Sequence, residues 1–143
     1  MKNQVIIANE FVKCISPHIE RARKSIDIIV FDWRWYADQP GSDCQKFNLL
    51  IVNALKRGVR VRCVVNSDDI ATKLRSVGAD VKKHLSTHLL HAKLMIIDDE
   101  TVITGSHNYT QSAFTANYEL SVILTELDNI EQFNFFFRNI WQS

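Results

Sequence analysis

Apolar runs alternate along the chain with stretches in which apolar residues recur every three or four positions. The runs predict strands at 25–32, 59–66, 80–83, 93–98, 101–104 and 117–125. The periodic stretches predict helices at 10–24, 42–56, 67–77 and 128–141. Because helices and strands alternate and one strand pair forms a hairpin, we expect an α/β fold, with a mixed β-sheet flanked by helices on both faces. We expect residues 1–143 to form a single domain.

Local signals mark where two of these helices begin. Ser42 or Asp43 can cap the second helix, and Ser67 or Asp68 can cap the third; a glycine follows the end of each. Pro17 lies inside the first predicted helix, so we expect a bend or a later helix start there.

Composition limits the kind of partner that the chain can bind. The 143 residues are 46% hydrophobic and 23% charged, with a net charge of +1, which is ordinary for a soluble globular domain. With so little net charge, any site for a polyanion must be local. The three cysteines, Cys14, Cys44 and Cys63, have no C-x-x-C spacing, which favours a reducing compartment over a disulfide framework.

The first residues do not have the pattern of a secretory signal, since Asn9 and Glu10 interrupt the short apolar run that begins at Val5. No apolar stretch approaches the roughly 18 residues that a membrane span needs. We therefore expect a cytoplasmic protein without stable membrane association, although a trimmed sequence would hide an export signal.

The stretch from His91 to Asn108 carries the strongest functional pattern. Its polar positions read H-x-K-x4-D-x6-G-S-x-N. Six specified positions match by chance on the order of once in 10⁷ to 10⁸ starts. His91 and Lys93 are two apart and should share one face of a strand, and the hairpin returns Ser106 and Asn108 to the same end. A nucleophile, a cation and neutral hydrogen-bond donors are the groups that can hold and attack a phosphate without a metal.

This stretch resembles the HKD signature of the phospholipase D superfamily, followed by its G-S-x-N element. Members transfer or hydrolyse phosphodiesters through a phosphohistidine intermediate. The resemblance extends to Asn117-Tyr118-Glu119, because the small nucleases of the superfamily carry a glutamate in the same relation to the motif. It is looser over 49–65, and the first forty and last twenty residues are only compatible with it. The resemblance implies the same α/β sandwich, with one motif per chain.

The resemblance assigns His91 as the nucleophile. Its attacking nitrogen must be unprotonated, which requires an acceptor on the other ring nitrogen, and Glu119 is the candidate. Lys93 and Asn108 are expected to hold the non-bridging phosphate oxygens in the transition state. The alternatives for these positions are a histidine that only ends a strand, a solvent-facing lysine and a solvated glutamate.

The resemblance places Ser106 and Asp98 in the catalytic set together with His91, Lys93, Asn108 and Glu119, and Gly105 is a further residue of the signature. Ser106 is expected to be a hydrogen-bonding residue, because no G-x-S-x-G elbow surrounds it as in serine hydrolases. Asp98 belongs to the signature, yet its position in the hairpin turn argues for a structural role rather than proton transfer. Gly105 is expected to permit a tight approach of the backbone.

Histidines at 84, 88 and 91 invite the hypothesis of a metal site. No cysteine or carboxylate falls at a usual ligand spacing, and His91 already has a role, so we expect no metal and no cofactor.

Four residues outside the motif are candidates for substrate binding. Trp33 and Trp35 follow the first central strand and could stack on bases, or they could cover the core or a subunit interface. Lys82 and Lys83 precede the active loop and could steer a phosphate backbone, or they could be ordinary surface charge.

The chemistry needs two histidines, one to attack phosphorus and one to protonate the leaving oxygen. The chain has one signature, and single-copy members of the superfamily pair two signatures across a homodimer. We therefore expect a two-fold dimer with a shared cleft, acting as a metal-independent endonuclease on DNA or RNA. The alternatives are a phosphodiesterase of phospholipids such as cardiolipin, which would want an anchor or apolar surface, and a non-catalytic module that binds polyanions.

Overall fold

The computed structural model describes residues 2–143, which form one seven-stranded sheet and five α-helices. The elements in chain order are β1 (Gln4–Ile7), α1 (Phe11–Glu20), β2 (Ser25–Ile29), α2 (Asp43–Lys56), β3 (Arg60–Val65), α3 (Asp68–Ser76), β4 (Asp80–Lys83), β5 (Leu94–Ile97), β6 (Thr101–Gly105), α4 (Gln111–Thr115), β7 (Leu120–Leu124) and α5 (Glu131–Gln142). A short 3₁₀ turn, Ala8–Glu10, joins β1 to α1.

The sheet is mixed, with the strand order β1-β7-β6-β5-β2-β3-β4. Strands β2, β3 and β4 are parallel, whereas β5 is antiparallel to β2, and β6, β7 and β1 alternate in direction from there. The carboxyl ends of β1, β2, β3, β4 and β6 therefore meet the amino ends of β5 and β7. We call this the site end of the sheet.

Helices cover both faces of the sheet, as the sequence predicted. Buried residues of α1, α2, α3 and α4, including Phe11, Phe47 and Phe114, form the larger core on one face. The last helix, α5, covers the middle of the other face, where Phe137 packs on Ile96 and Val102. None of the described helices has the length and apolarity that crossing a lipid bilayer requires.

Two predicted capping residues do cap their helices, and a third helix has a similar cap that was not predicted. The Ser42 hydroxyl accepts a hydrogen bond from the backbone N–H of Gln45, and Ser67 does the same for Ile70. Thr110 caps α4 through the N–H of Ala113. Each bond satisfies an N–H group that the first turn of a helix leaves unpaired.

Each predicted strand and long helix is present, although α1, β2 and β7 are shorter than predicted. Helix α1 begins at Phe11 and includes Pro17, so the alternative of a later helix start is wrong. Two short elements were not predicted. Strand β1 has only Ile6 buried among four residues, so it lacks the alternating pattern of a longer strand. Helix α4 has five residues, too few to show a helical period. The closing helix begins at Glu131 rather than at 128.

Candidate active site

The fold gathers the residues of the motif at the site end of the sheet. His91 and Lys93 lie just before β5, Ser106 and Asn108 follow β6, and Glu119 precedes β7. Because β6 is antiparallel to both β5 and β7, its carboxyl end meets the amino ends of its two neighbours. Five of the six predicted catalytic residues therefore belong to one end of three adjacent strands.

The His91 imidazole and the Lys93 ammonium group are in direct contact. Lys93 Nζ lies 3.2 Å from Nδ1 and 3.4 Å from Nε2 of His91. His91 is exposed, whereas only 8% of Lys93 is exposed. Burial lowers the pKa of Lys93, although the nearby Glu119 carboxylate opposes this effect. The pair thus places an accessible imidazole beside a largely buried cation, and a buried cation can bind an anion strongly.

Phe31 supplies an aromatic wall that the sequence analysis did not identify. Its ring lies 4.9 Å from the His91 ring, and Lys93 Nζ lies 5.7 Å from its centroid. Phe31 follows β2 closely, and residues just beyond the carboxyl end of a central strand commonly line α/β sites. That rule was the signal that could have identified it.

Asn108 is held in a defined orientation. Its Oδ1 accepts a hydrogen bond of 3.1 Å from the backbone N–H of Asp32. Since the oxygen is engaged, the Nδ2 group is the one available to donate to a phosphate oxygen. Two backbone bonds join the same segments, Tyr109 N to Asp32 O at 3.0 Å and Arg34 N to Tyr109 O at 2.9 Å.

Glu119 and Ser106 form a hydrogen-bonded unit, and the Glu119 carboxylate is near Lys93. Ser106 Oγ donates to Glu119 Oε1 at 2.6 Å, and Asn117 Nδ2 donates to Oε2 at 3.0 Å. Ser106 Oγ also accepts from the backbone N–H of Leu120 at 3.0 Å. Ser106 is therefore a supporting residue, and Asn117 is a further one. The expected bond between Glu119 and the His91 imidazole stays a prediction, because the bonds of the carboxylate in this structure go to Ser106 and Asn117.

His107 lies between Ser106 and Asn108. Its side chain is buried in the core and holds the loop in place. Its Nδ1 lies 2.7 Å from Ser121 Oγ, and its Nε2 lies 2.7 Å from the carbonyl oxygen of Ala8. The ring also stacks on Phe11 with centroids 4.4 Å apart. Burial lowers the pKa of His107, against the opposing effects of the Ala8 carbonyl and Glu119. The imidazole therefore joins the end of β1 to β7 behind the site.

Gly105 allows β6 and β7 to approach closely at the start of this loop. A Cβ atom there would lie 2.3 Å from Ser121 Oγ, 2.4 Å from Ser121 Cα and 2.5 Å from the carbonyl oxygen of Leu120. Two of these atoms are backbone, so no side-chain rotation can relieve the contact. The backbone therefore approaches Gly105 closely, as the sequence analysis expected.

Asp98 lies at the opposite end of β5, so its inclusion in the catalytic set is wrong. Four residues of strand separate the two ends, about 13 Å. Its carboxylate accepts from the backbone N–H groups of Arg23, Lys24 and Ser25 at 2.7–3.1 Å. Burial alone would raise the pKa of Asp98, but these three bonds outweigh it and lower the pKa. The residue joins the hairpin to β2, as its turn position suggested.

The two predicted tryptophans have different environments. Trp33 is 3% exposed, packs on Phe47 and Tyr109, and donates from Nε1 to Asn48 Oδ1 at 2.7 Å. It cannot stack on a substrate base, and the alternative that it covers the core is correct. Trp35 is half-buried and lines an open cavity, so it remains a candidate for substrate binding.

The two predicted lysines are engaged elsewhere on the surface. The Lys82 ammonium group donates to the Trp141 carbonyl and lies 4.8 Å from the Trp141 ring centroid. Lys83 forms a 3.3 Å ion pair with Asp68. Both lie on β4, an edge strand of the sheet. Their expected contact with substrate therefore has no support in this arrangement.

Among residues 2–143 there is no group of three or more histidine, cysteine or carboxylate side chains placed to hold a metal ion. Instead, the Nε2 of His84 lies 2.7 Å from the carbonyl oxygen of His88 in the loop before His91. The expectation of a reaction without metal stays a prediction for assay.

The combined arrangement of an exposed imidazole, a buried ammonium group and an oriented amide suits phosphodiester chemistry, and comparison with known proteins agrees. Residues 15–141 match the family model described as "Cardiolipin synthase, PLD-like domain". The chain therefore belongs to the phospholipase D-like family.

Two curated relatives illustrate the relationship. The human mitochondrial cardiolipin hydrolase is 33% identical over 128 residues, which are 85% of this chain and 47% of the relative. A phospholipase D of Rickettsia prowazekii is 33% identical over 120 residues, 80% of this chain and 54% of the relative. The chain thus spans about half the length of the curated relatives it matches.

Two solved structures match the whole fold. Nuc from Salmonella typhimurium, described as a phospholipase D family member, superposes with a TM-score of 0.81 and 23% identity. NucT from Helicobacter pylori superposes with a TM-score of 0.80 and 18% identity. Each alignment covers 99% of this chain and at least 95% of the other. The predicted α/β sandwich is therefore confirmed.

Proposed function

We propose that this phospholipase D-like protein cleaves phosphodiester bonds of nucleic acids without a metal ion, through a phosphohistidine intermediate. The observation that carries the proposal is the contact between His91, exposed and ready to attack, and the buried ammonium group of Lys93. The oriented amide of Asn108 supplies a second donor for the same phosphate. Together they place nucleophile and charge stabilisation at one point.

In the first step, a ring nitrogen of His91 attacks phosphorus, and the bond from phosphorus to the leaving oxygen breaks. Negative charge on the non-bridging oxygens is stabilised by Lys93 and by Nδ2 of Asn108. The leaving oxygen takes a proton from a second, protonated imidazole. In the second step that imidazole, now neutral, removes a proton from water; the water oxygen attacks phosphorus and the bond to His91 breaks.

The second imidazole comes, in this proposal, from another copy of the chain. The described residues put one exposed histidine beside Lys93, so a complete site needs a partner that supplies its own His91. Tyr118 and Leu120, on either side of Glu119, are exposed apolar side chains that a second copy would cover. A two-fold axis through the cleft would bring the two His91 imidazoles to one phosphate, one as the nucleophile and the other as the proton donor.

A phospholipid substrate is the second candidate, and two observations favour it. The curated relatives are named as cardiolipin hydrolases and phospholipase D. In addition, Leu85 and Leu89, in the loop that leads to His91, are 85% and 71% exposed. The sequence analysis identified no apolar surface of this kind, because isolated leucines in a polar loop give no periodic pattern. Such side chains suit contact with lipid as well as with a second copy.

One panel of substrates tests the choice. Single-stranded DNA, duplex DNA, RNA and cardiolipin vesicles are each incubated with the protein in excess EDTA. We expect cleavage of nucleic acid that His91→Ala reduces at least about 1,000-fold, with circular dichroism unchanged. His88→Ala, an exposed histidine three positions away, is the matched control and should keep its activity. A requirement for a divalent ion, or turnover of the vesicles alone, would contradict the proposal.

The shared site has its own test. Light scattering should give the mass of a dimer, and mixing His91→Ala with wild-type subunits should form dimers with one imidazole and little activity. Activity that persists in a monomer at nanomolar concentration would refute the shared cleft while leaving the substrate assignment open.

A further inference from the structure

A cavity lined by residues outside the motif lies at the site end of the sheet. It has a volume of about 460 Å³ and lies between the segment after β2 and the first turns of α3. Its lining includes Asp32, Arg34, Trp35, Asp69 and Lys73. Its size is in the lower part of the range that holds small ligands, about 300 to 1,000 Å³. We call it the Trp35 cavity.

We propose that the Trp35 cavity receives one unpaired nucleotide of the strand being cut, next to the scissile phosphate. The inference rests on the nucleic-acid activity proposed above and names the form of the substrate: a single strand, or a base displaced from a duplex. The side chains, the position and the rigidity of the cavity each support it.

The side chains match a nucleotide better than a bare phosphate or an acyl chain. Trp35 is half-buried: part of it packs against the larger core, it stacks on none of the described aromatic rings, and its remaining surface lines the cavity, where a base can contact it. Two cations, Arg34 and Lys73, are balanced by two carboxylates, Asp32 and Asp69. A formally neutral lining of this kind does not favour a polyanion, whereas it can serve a base, its sugar hydroxyls and one phosphate.

The cations are available for that phosphate. Arg34 pairs with Asp32 at 2.8 Å, but the two side chains are 63% and 36% exposed, so water screens the pair and a phosphate can compete for the guanidinium group. Lys73 makes no ion pair with any residue that the structure describes.

The cavity adjoins the residues that would hold the reacting phosphate. Phe31 lies against His91 at 4.9 Å, and the next residue, Asp32, already lines the cavity. Asp32 also donates its backbone N–H to Asn108 Oδ1 at 3.1 Å. A nucleotide next to a phosphate bound by Asn108 would therefore lie beside the cavity.

The cavity wall and the catalytic loop are joined into one unit. The backbone around Arg34 is held by Tyr109 at 2.9 Å and by the Asn48 amide at 3.0 Å, and Trp33 forms a β-bridge with Tyr109. A base held by Trp35 therefore fixes where the next phosphate lies relative to Asn108. Such positioning is how remote binding accelerates a reaction.

The test uses single-stranded 12-mers in which one abasic nucleotide is moved along the strand. With wild-type protein, cleavage at a given phosphate should weaken by about 10-fold when the abasic position falls on one particular neighbour, which is the loss of one base–aromatic stack. Trp35→Ala should weaken cleavage of the normal strand by the same factor and abolish the dependence on the abasic position. Trp35→Phe should restore most of the effect. Phe135→Ala, an exposed aromatic on α5, is the matched control.

Lys73→Ala should raise KM and lower the slope of log KM against log salt by about 0.7, the value for one phosphate of a single strand. Lys56→Ala, an exposed lysine at the far end of α2, should not change that slope. If oligonucleotides are cut equally well by wild type and Trp35→Ala, with no dependence on the abasic position, this inference is overturned and the nuclease stands. If no variant cuts any oligonucleotide while vesicles are hydrolysed, the proposed function itself fails.

Discussion

Substitution of Gly105 by alanine is the sharpest test of how the catalytic loop is supported. An added Cβ would lie 2.3–2.5 Å from Ser121 and the Leu120 carbonyl, whereas ordinary contact begins near 3.4 Å. Strands β6 and β7 would have to separate by about 1 Å. That movement weakens the 3.0 Å bond from Ser106 N to Leu120 O and shifts Glu119, which lies next in the chain.

The size of the effect follows from these contacts. Overpacking against backbone atoms costs about 1–3 kcal/mol, and each weakened hydrogen bond adds about 1 kcal/mol. We therefore expect Gly105→Ala to lower the free energy of unfolding by about 3 kcal/mol. For a chain of this length, that corresponds to a fall in Tm of about 10 °C. Activity should fall as well, because Ser106 and Glu119 move relative to His91.

Gly105 also has a φ of +155°, which disfavours a side chain, so two other glycines are needed to separate the steric cost from the backbone cost. A Cβ added at Gly41 would meet no atom within 4 Å, and its φ is not in the left-handed region, so Gly41→Ala should leave Tm unchanged. Gly58 has open space but a φ of +93°, so Gly58→Ala measures the backbone cost alone, about 1–2 kcal/mol. Thermal unfolding followed by circular dichroism compares all three. A Gly105→Ala protein as stable as Gly41→Ala would refute the close approach of the two strands.

Three further predictions concern titratable groups. Burial lowers the pKa of Lys93 despite Glu119, so kcat/KM should fall as the pH rises through a value below the ordinary 10.5; a rate that stays level to that pH argues against a catalytic ammonium group. Asp98→Asn should cost about 2 kcal/mol near neutral pH in urea unfolding. Because the folded pKa of Asp98 is lowered despite its burial, by bonds from backbone N–H groups, this difference should shrink as the pH falls below about 4; a constant difference would contradict that account. His107 has a lowered folded pKa because of burial, so its contribution is complete above about pH 6.5 and declines below it; His107→Phe should be less stable by about 2 kcal/mol and should lose this pH dependence.

The periodic parts of the chain could be predicted from the sequence because local and tertiary preferences agree there. Helix α2 begins at the cap that Ser42 predicted and ends at Lys56, since its apolar face and its capping residue point to the same structure. The motif residues came together for a similar reason, because antiparallel pairing of β5, β6 and β7 leaves little freedom in where their ends lie.

The remaining contacts depend on packing between distant segments. Nothing local distinguishes Trp33, which is buried, from Trp35, which lines a cavity two residues later. His107 could have been expected to face away from Ser106 and Asn108 in an extended loop, but its partners Ala8 and Ser121 come from segments that only the sheet order brings together.

The edge strand β1 contributes to the support of the catalytic loop. It pairs with β7 on one side only, yet the Ala8 carbonyl that follows it receives the His107 ring. A peripheral strand of four residues is among the first parts of a fold to open transiently. Each such opening would take the Ala8 carbonyl away from the His107 ring and loosen the loop that carries Asn108.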